Sequence, residues 1–286
     1  MSGFNRSEIL KEMHEWLSSD RNRSFQRDKR IVAIEEILAR DVVTDQEKAF
    51  IASHLGLLSN WYLTLGTVGV ADHEPQGWPK LVHGMWIEYY HVRLLVEQWD
   101  RDPRKNKPPR LEILRPSLCL AMAMAFDKKD IVTWLGNRLA GSKDDGAFGT
   151  WGECRLPRFM ASLYRWYSDS GGDEIGQAEV GESSPYARVF GVWDSEEDLA
   201  PAMGDICNFH VQQSQDKGDV VIGEFSRYPF NIIPFEIFAI DTLRRRRGLG
   251  MPVVDHPLMA EPFNHVPIGV HDPDDPLLEK IGRLIG

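Results

Sequence analysis

Cysteine is scarce. The 286 residues hold three, Cys119, Cys154 and Cys207, far apart, odd in number and without a Cys-x-x-Cys pair. That spacing argues against a zinc site and a disulfide framework and favours buried free thiols in a reducing compartment. Long apolar runs are missing as well. The most apolar stretch, Leu55 to Val70, contains Asn60 and is shorter than the ~20 residues of a membrane span. The opening MSGFNRSEILKEMHEWL has no apolar signal-peptide core, so the sequence points to the cytoplasm and to no membrane. Positive charge is in deficit: 33 Lys and Arg stand against 43 Asp and Glu, a formal charge of −10. A chain of that sign is repelled by phosphate backbones, which argues against nucleic acid and for a basic protein partner.

Catalytic patterns are missing too: HExxH, GxSxG and the P-loop do not occur. Weaker candidates each have a plain structural alternative. Glu88 and His91 form one ExxH, whereas di-metal carboxylate bundles need two copies and further glutamates. The alternative is the polar face of a long helix. His83 and His91 lack a third ligand at metal spacing. Cys154 with a distant His is a pairing that any chain of this size offers. His271, Asp272, Asp274 and Asp275 lack EF-hand spacing and read as a solvated, proline-stiffened tail. Arg244 to Arg247 is either a phosphate patch or the last turn of a helix, where cations complement the free carbonyls. No cofactor and no metal are expected.

What is present is ordinary globular composition, with 42% hydrophobic residues and nine tryptophans, enough for a real core. Helix signals dominate. Ser7 is a candidate cap for a helix carrying Ile9, Leu10, Met13, Trp16 and Leu17 at helical spacing. Thr44 with Glu47, and Ser195 with Asp198, match capping boxes. Pro79, Pro116, Asp130 and Pro157 each stand near a helix start, and Gly141 and Gly248 at a helix stop. Tyr186 to Trp193 and Val220 to Phe225 read as short strands. The expected fold is mainly α: a helical array, with helix pairs that could be repeat-like, and a minor β element in the C-terminal third. The expected organisation is an N-terminal helical region 1–167, an acidic Gly/Ser-rich loop or linker 168–185, and a mostly helical region 186–286 packed on the first.

The acidity is concentrated. From Asp169 to Asp205 there are ten carboxylates and only Arg188 as a cation, a local −9. A solvated face is one reading. The other is an electrostatic docking surface, which speeds association and rejects wrong partners. The candidate partner-binding residues are Asp169, Asp173, Glu174, Glu179, Glu182, Asp194, Glu196, Glu197 and Asp198, with Trp193 as an anchor.

The stretch PFEIFAIDTLRRRRGLGMPVVDHPLM resembles the C-terminal signature of bacterial immunity proteins encoded beside polymorphic or type VI secreted toxins. The matching positions are Pro234, Glu236, Leu243, Arg244, Gly248, Leu249, Pro252, His256, Pro257, Leu258 and Met259. Gly191 to Asp198 is similar to the same family, and the resemblance covers roughly the last third of the chain. It implies a stoichiometric inhibitor, not an enzyme, that occludes the active site of a cognate toxin, for which a nuclease with a basic surface is a fitting target. The alternative class is a helical scaffold or adaptor, followed by a metal-dependent enzyme using the histidine and carboxylate pairs.

Overall fold

The computed structural model describes residues 4–101, 112–145, 154–168, 180–181, 183–214 and 223–285, with side chains to residue 141 in the second stretch. Those residues hold helices and no strand. The helices are α1 (Arg6–Ser18), α2 (Asp20–Arg23), a π-helical turn (Ser24–Asp28), α3 (Lys29–Leu38), α4 (Asp45–Ala71), α5 (Gly77–Arg101), α6 (Leu114–Ala125) and α7 (Lys129–Asp145). Then follow α8 (Leu156–Ser168), α9 (Ala187–Gly191), α10 (Glu196–Ser214), α11 (Phe235–Arg246), a 3-10 turn (Pro257–Met259) and α12 (Pro276–Ile285). Two compact units form: Asn5–Leu111 with Val270–Gly286, and Glu112–Gly269 with Met1–Phe4. The acidic loop 168–185 lies almost entirely outside the described residues.

The unit holding the N-terminal helices is built on an α4–α5 hairpin. Thr44 starts α4 with both limbs of its capping box: its hydroxyl accepts from the Glu47 N–H, and Glu47 accepts from the Thr44 N–H at 2.7 Å. The two helices come close enough to require glycine. A Cβ on Gly66 would lie 2.6 Å from the Leu81 nitrogen, and one on Gly84 2.8 Å from the Leu63 nitrogen. Polar stitches continue the seam: Ser59 donates to Glu88 at 2.6 Å, and the His91 ring bonds the Ala52 carbonyl at 2.6 Å. Ile34, Ile51, Leu55, Leu58, Ile87 and Leu94 fill the core with Leu277, Leu278 and Ile281 of α12. That proline-rich tail thus ends in a helix. It is clasped to α5 by Trp86 donating to Asp272 at 2.8 Å and by the His83–Asp275 ion pair at 2.8 Å.

In the other unit α6 is apolar nearly all round and is buried along its whole length except at Arg115. It packs against α7, α8 and α11; Thr242 of α11 donates to the Ala125 carbonyl at 3.1 Å. α7 and α8 meet where Tyr164 covers Gly136 and its hydroxyl donates to Asn137 at 2.7 Å.

Several local expectations are corrected. Asn5, not Ser7, caps α1, its side chain accepting from the Glu8 N–H at 3.3 Å. Helix α7 runs through Gly141 to Asp145, since an interior glycine costs only about 1 kcal/mol and α7 has packing to hold it. Tyr186 to Trp193 is no strand: it contains α9 and a turn. Its buried residues Tyr186, Val189, Phe190 and Trp193 fall at i, i+3, i+4 and i+7, a helical period inside a run of β-favouring residues. Residues 223–225 of the second expected strand form a loop with a turn, and 220–222 lie outside the described residues.

Candidate partner-binding face

The described part of the acidic segment is the start of α10. Ser195 precedes it, accepting from the Asp198 N–H at 3.2 Å while its hydroxyl donates to the Asp198 carboxylate at 2.8 Å. Asp198 therefore spends part of its acceptor capacity on the cap. Glu196, Glu197 and Asp198 occupy the first turn, where the exposed N–H groups favour negative charge. Asp194, Glu196, Glu197 and Asp198 are all exposed, and none has an ion-pair partner among the described residues. Asp205, further along, is paired with Arg188 at 3.7 Å. Asp169, Asp173, Glu174, Glu179 and Glu182 lie outside the described residues.

Trp193 does not suit the role of an exposed anchor: its ring is 3% exposed. It packs edge-on against Trp166 at 4.9 Å, with the guanidinium groups of Arg244 and Arg247 over its face at 5.8 and 5.9 Å. Arg244 is fully buried. It donates to the Trp193 carbonyl and, at 2.7 Å, to the Gly250 carbonyl. Burial lowers its pKa, while Glu196, Asp194 and Asp241 act in the opposite direction. The acidic row thus has a second job: Asp194 and Glu196 offset part of the cost of burying the Arg244 charge.

The other arginines of the run are also engaged. Arg245 pairs with Asp241 at 3.2 Å. Arg246 pairs with Asp127 and stacks on Tyr167 at 4.3 Å, and Arg247 donates to the Trp166 carbonyl at 3.1 Å. The run closes α11 before Gly248, whose φ of +74° is the left-handed geometry that glycine takes most easily.

Residues of the C-terminal signature prove to be packing and capping groups. Glu236, 1% exposed, holds the equally buried His210 at 2.6 Å, and His210 stacks on Phe225 at 4.0 Å. His256 accepts from the Leu258 N–H at 3.1 Å, and Leu258 is buried. Nearby, Glu224 accepts from the N–H groups of Arg155 and Leu156 at 2.9 and 2.7 Å, and so caps α8 from 68 residues away. Burial raises the Glu224 pKa and those backbone donors oppose the rise. Burial and Glu236 push the Cys207 thiol up to about 12, so it is a poor nucleophile.

The remaining chemistry candidates do not converge. Glu88 and His91 lie on the buried face of α5, not on a solvated one, and face Ser59 and Ala52. Asp272 and Asp275 fasten the tail. Among the described residues no three His, Cys, Asp or Glu side chains gather as metal ligands. No described helix is long and apolar enough to cross a membrane.

The described residues are helical, without strands, and carry an exposed carboxylate row beside a buried arginine. Comparison with protein-family models, with curated proteins and with solved structures found no match to this chain.

Proposed function

We propose that this chain is an immunity protein that binds a cognate antibacterial toxin in the cytoplasm of the producing cell and blocks its active site. The observation that carries the proposal is the row Asp194, Glu196, Glu197 and Asp198, exposed and without ion pairs among the described residues, at the start of α10. Carboxylates in that setting suit a basic surface, such as the phosphate-binding cleft of a nuclease. The resemblance of Pro234 to Met259 supports the same reading, with the matched residues acting as the support behind the face. Each unit contains a packed helix pair, α4–α5 in one and α6–α7 in the other, and this is the observation that favours a scaffold as the second reading.

The test is co-expression with the toxin encoded beside it. The native chain is expected to restore growth, and reversal of Glu197 to lysine, at a carboxylate that takes no part in supporting Arg244, is expected to weaken toxin binding at least tenfold with an unchanged melting temperature. Survival unaffected by the native chain rejects the inhibitor reading, and capture of a multi-protein assembly instead of one toxin favours the scaffold.

A further inference from the structure

A second face, on α3, α4 and the π turn, carries the opposite charge. From Asp20 to Arg30 the chain has five cations against two carboxylates, inside a protein of net charge −10. Arg23 and Arg27 are paired with Asp20 and Asp28 at 3.8 and 2.7 Å. Arg21 and Lys29 are exposed and have no ion-pair partner among the described residues.

Aromatic rings lie among these cations. The Arg30 guanidinium covers the Phe25 ring at 4.2 Å, and its Nε donates to the Phe25 carbonyl at 2.7 Å. Its Nη1 meets His54 Nδ1 at 3.3 Å, and the His54 ring packs on Phe50 with centroids 4.0 Å apart and planes tilted by 49°. The result is a ladder, Phe25–Arg30–His54–Phe50, whose two outer rungs are 49% and 47% exposed. Phenyl rings and arginine are both enriched at protein interfaces.

We propose that this ladder docks on the carboxylate row of a second copy of the chain, head to tail. The ladder needs an acidic occupant, and Asp194, Glu196, Glu197 and Asp198 form an unpaired acidic row on the same molecule. A two-fold pairing of ladder on ladder would set one cationic face against the same cationic face, so the contact is between unlike faces. A polyanion such as nucleic acid meets repulsion from the rest of an acidic chain. Head-to-tail contact leaves one ladder and one row open at each step, so the assembly grows into a ring or a short chain. The proposal uses the row that the inhibitor reading gives to the toxin, and its test needs no toxin, so the two readings fail separately.

The test is sedimentation of the full-length chain with two complementary variants. One carries Phe25→Ala and Lys29→Glu; the other carries Asp194→Asn and Glu197→Lys. For the native chain the average mass is expected to rise above 32.7 kDa with concentration at low salt and to return to that value at high salt. Each variant alone is expected to stay monomeric. Mixed, they are expected to give a one-to-one dimer that grows no further, because only one intact ladder and one intact row remain per pair. Circular dichroism melts check both folds, and Arg21→Glu with Asp194→Lys provides a second pair should either variant unfold. A native chain monomeric throughout, a variant that still self-associates, or a monomeric mixture overturns the proposal. So does a chain that stays monomeric while its ladder variant loses binding to a DNA oligonucleotide or to phosphatidylserine vesicles.

Discussion

Asp275 is a single carboxyl with a measurable consequence. The hydrogen bond with His83 holds its pKa below the usual carboxylate range, with help from the Leu277 and Leu278 N–H groups and against burial. A carboxyl lowered on folding contributes stability that is complete above its unfolded pKa of about 3.9 and is lost as pH falls through the folded value. The denaturation midpoint of the native chain should therefore fall more steeply than that of Asp275→Asn between about pH 5 and pH 2. Equal slopes in denaturant titrations across that range would show that the clasp contributes nothing. Residue types in the sequence foretold little of this. Asp272 and Asp275 were readable as a solvated tail because their partners, Trp86 and His83, lie nearly 200 positions earlier. Glu224 and Arg244 tell the same story: a carboxylate capping a remote helix and a cation closed over by a turn are products of tertiary packing.

Elements were more legible, because caps and periodicity are local. Thr44 with Glu47 and Ser195 with Asp198 marked true helix starts, and Gly248 a true stop. Tyr186 to Trp193 failed because aromatic and branched residues favour a strand, while burial at i, i+3, i+4 and i+7 favoured a helix and won. Gly141 failed because a glycine stops a helix only where the chain must turn left-handed. The two roles of glycine make a paired prediction. Gly84→Ala forces a Cβ against the Leu63 backbone and should destabilise the hairpin by about 1–3 kcal/mol. Gly204→Ala in α10 meets nothing within 4 Å and should stabilise by about 0.5–1 kcal/mol. Thermal melts of both read the difference, and shifts of the same sign would refute the packing of α4 on α5.

For the whole molecule, charge placement matters more than charge total. Composition reported the −10 and the concentration of carboxylates after Asp169, but not that Asp194 and Glu196 face Arg244. Nor did it reveal that Trp193 is buried, since a tryptophan in a sequence carries no label of exposure. The basic run around Phe25 was visible as letters, five cations in eleven residues, yet its partners on α4 were not. An acidic face that steers a basic toxin gives an association rate that depends on salt. Under the inhibitor proposal, stopped-flow mixing with the proposed toxin should show the rate falling by roughly tenfold or more between low and high ionic strength, with the dissociation rate little changed. A rate independent of salt would leave the row as a solvated face.

The unit built on α4 and α5 is assembled from two remote pieces of chain, and everything from Glu112 to Gly269 is inserted between them. Leu277, Leu278 and Ile281, three side chains of its core, belong to α12. Domains emerge from the ribosome in order and fold as they emerge. The inserted unit is therefore complete first, while the hairpin made at the outset waits with an open apolar side until α12 leaves the exit tunnel. Apolar surface exposed in that interval is the kind that invites aggregation, so the vulnerable moment of this fold falls during synthesis.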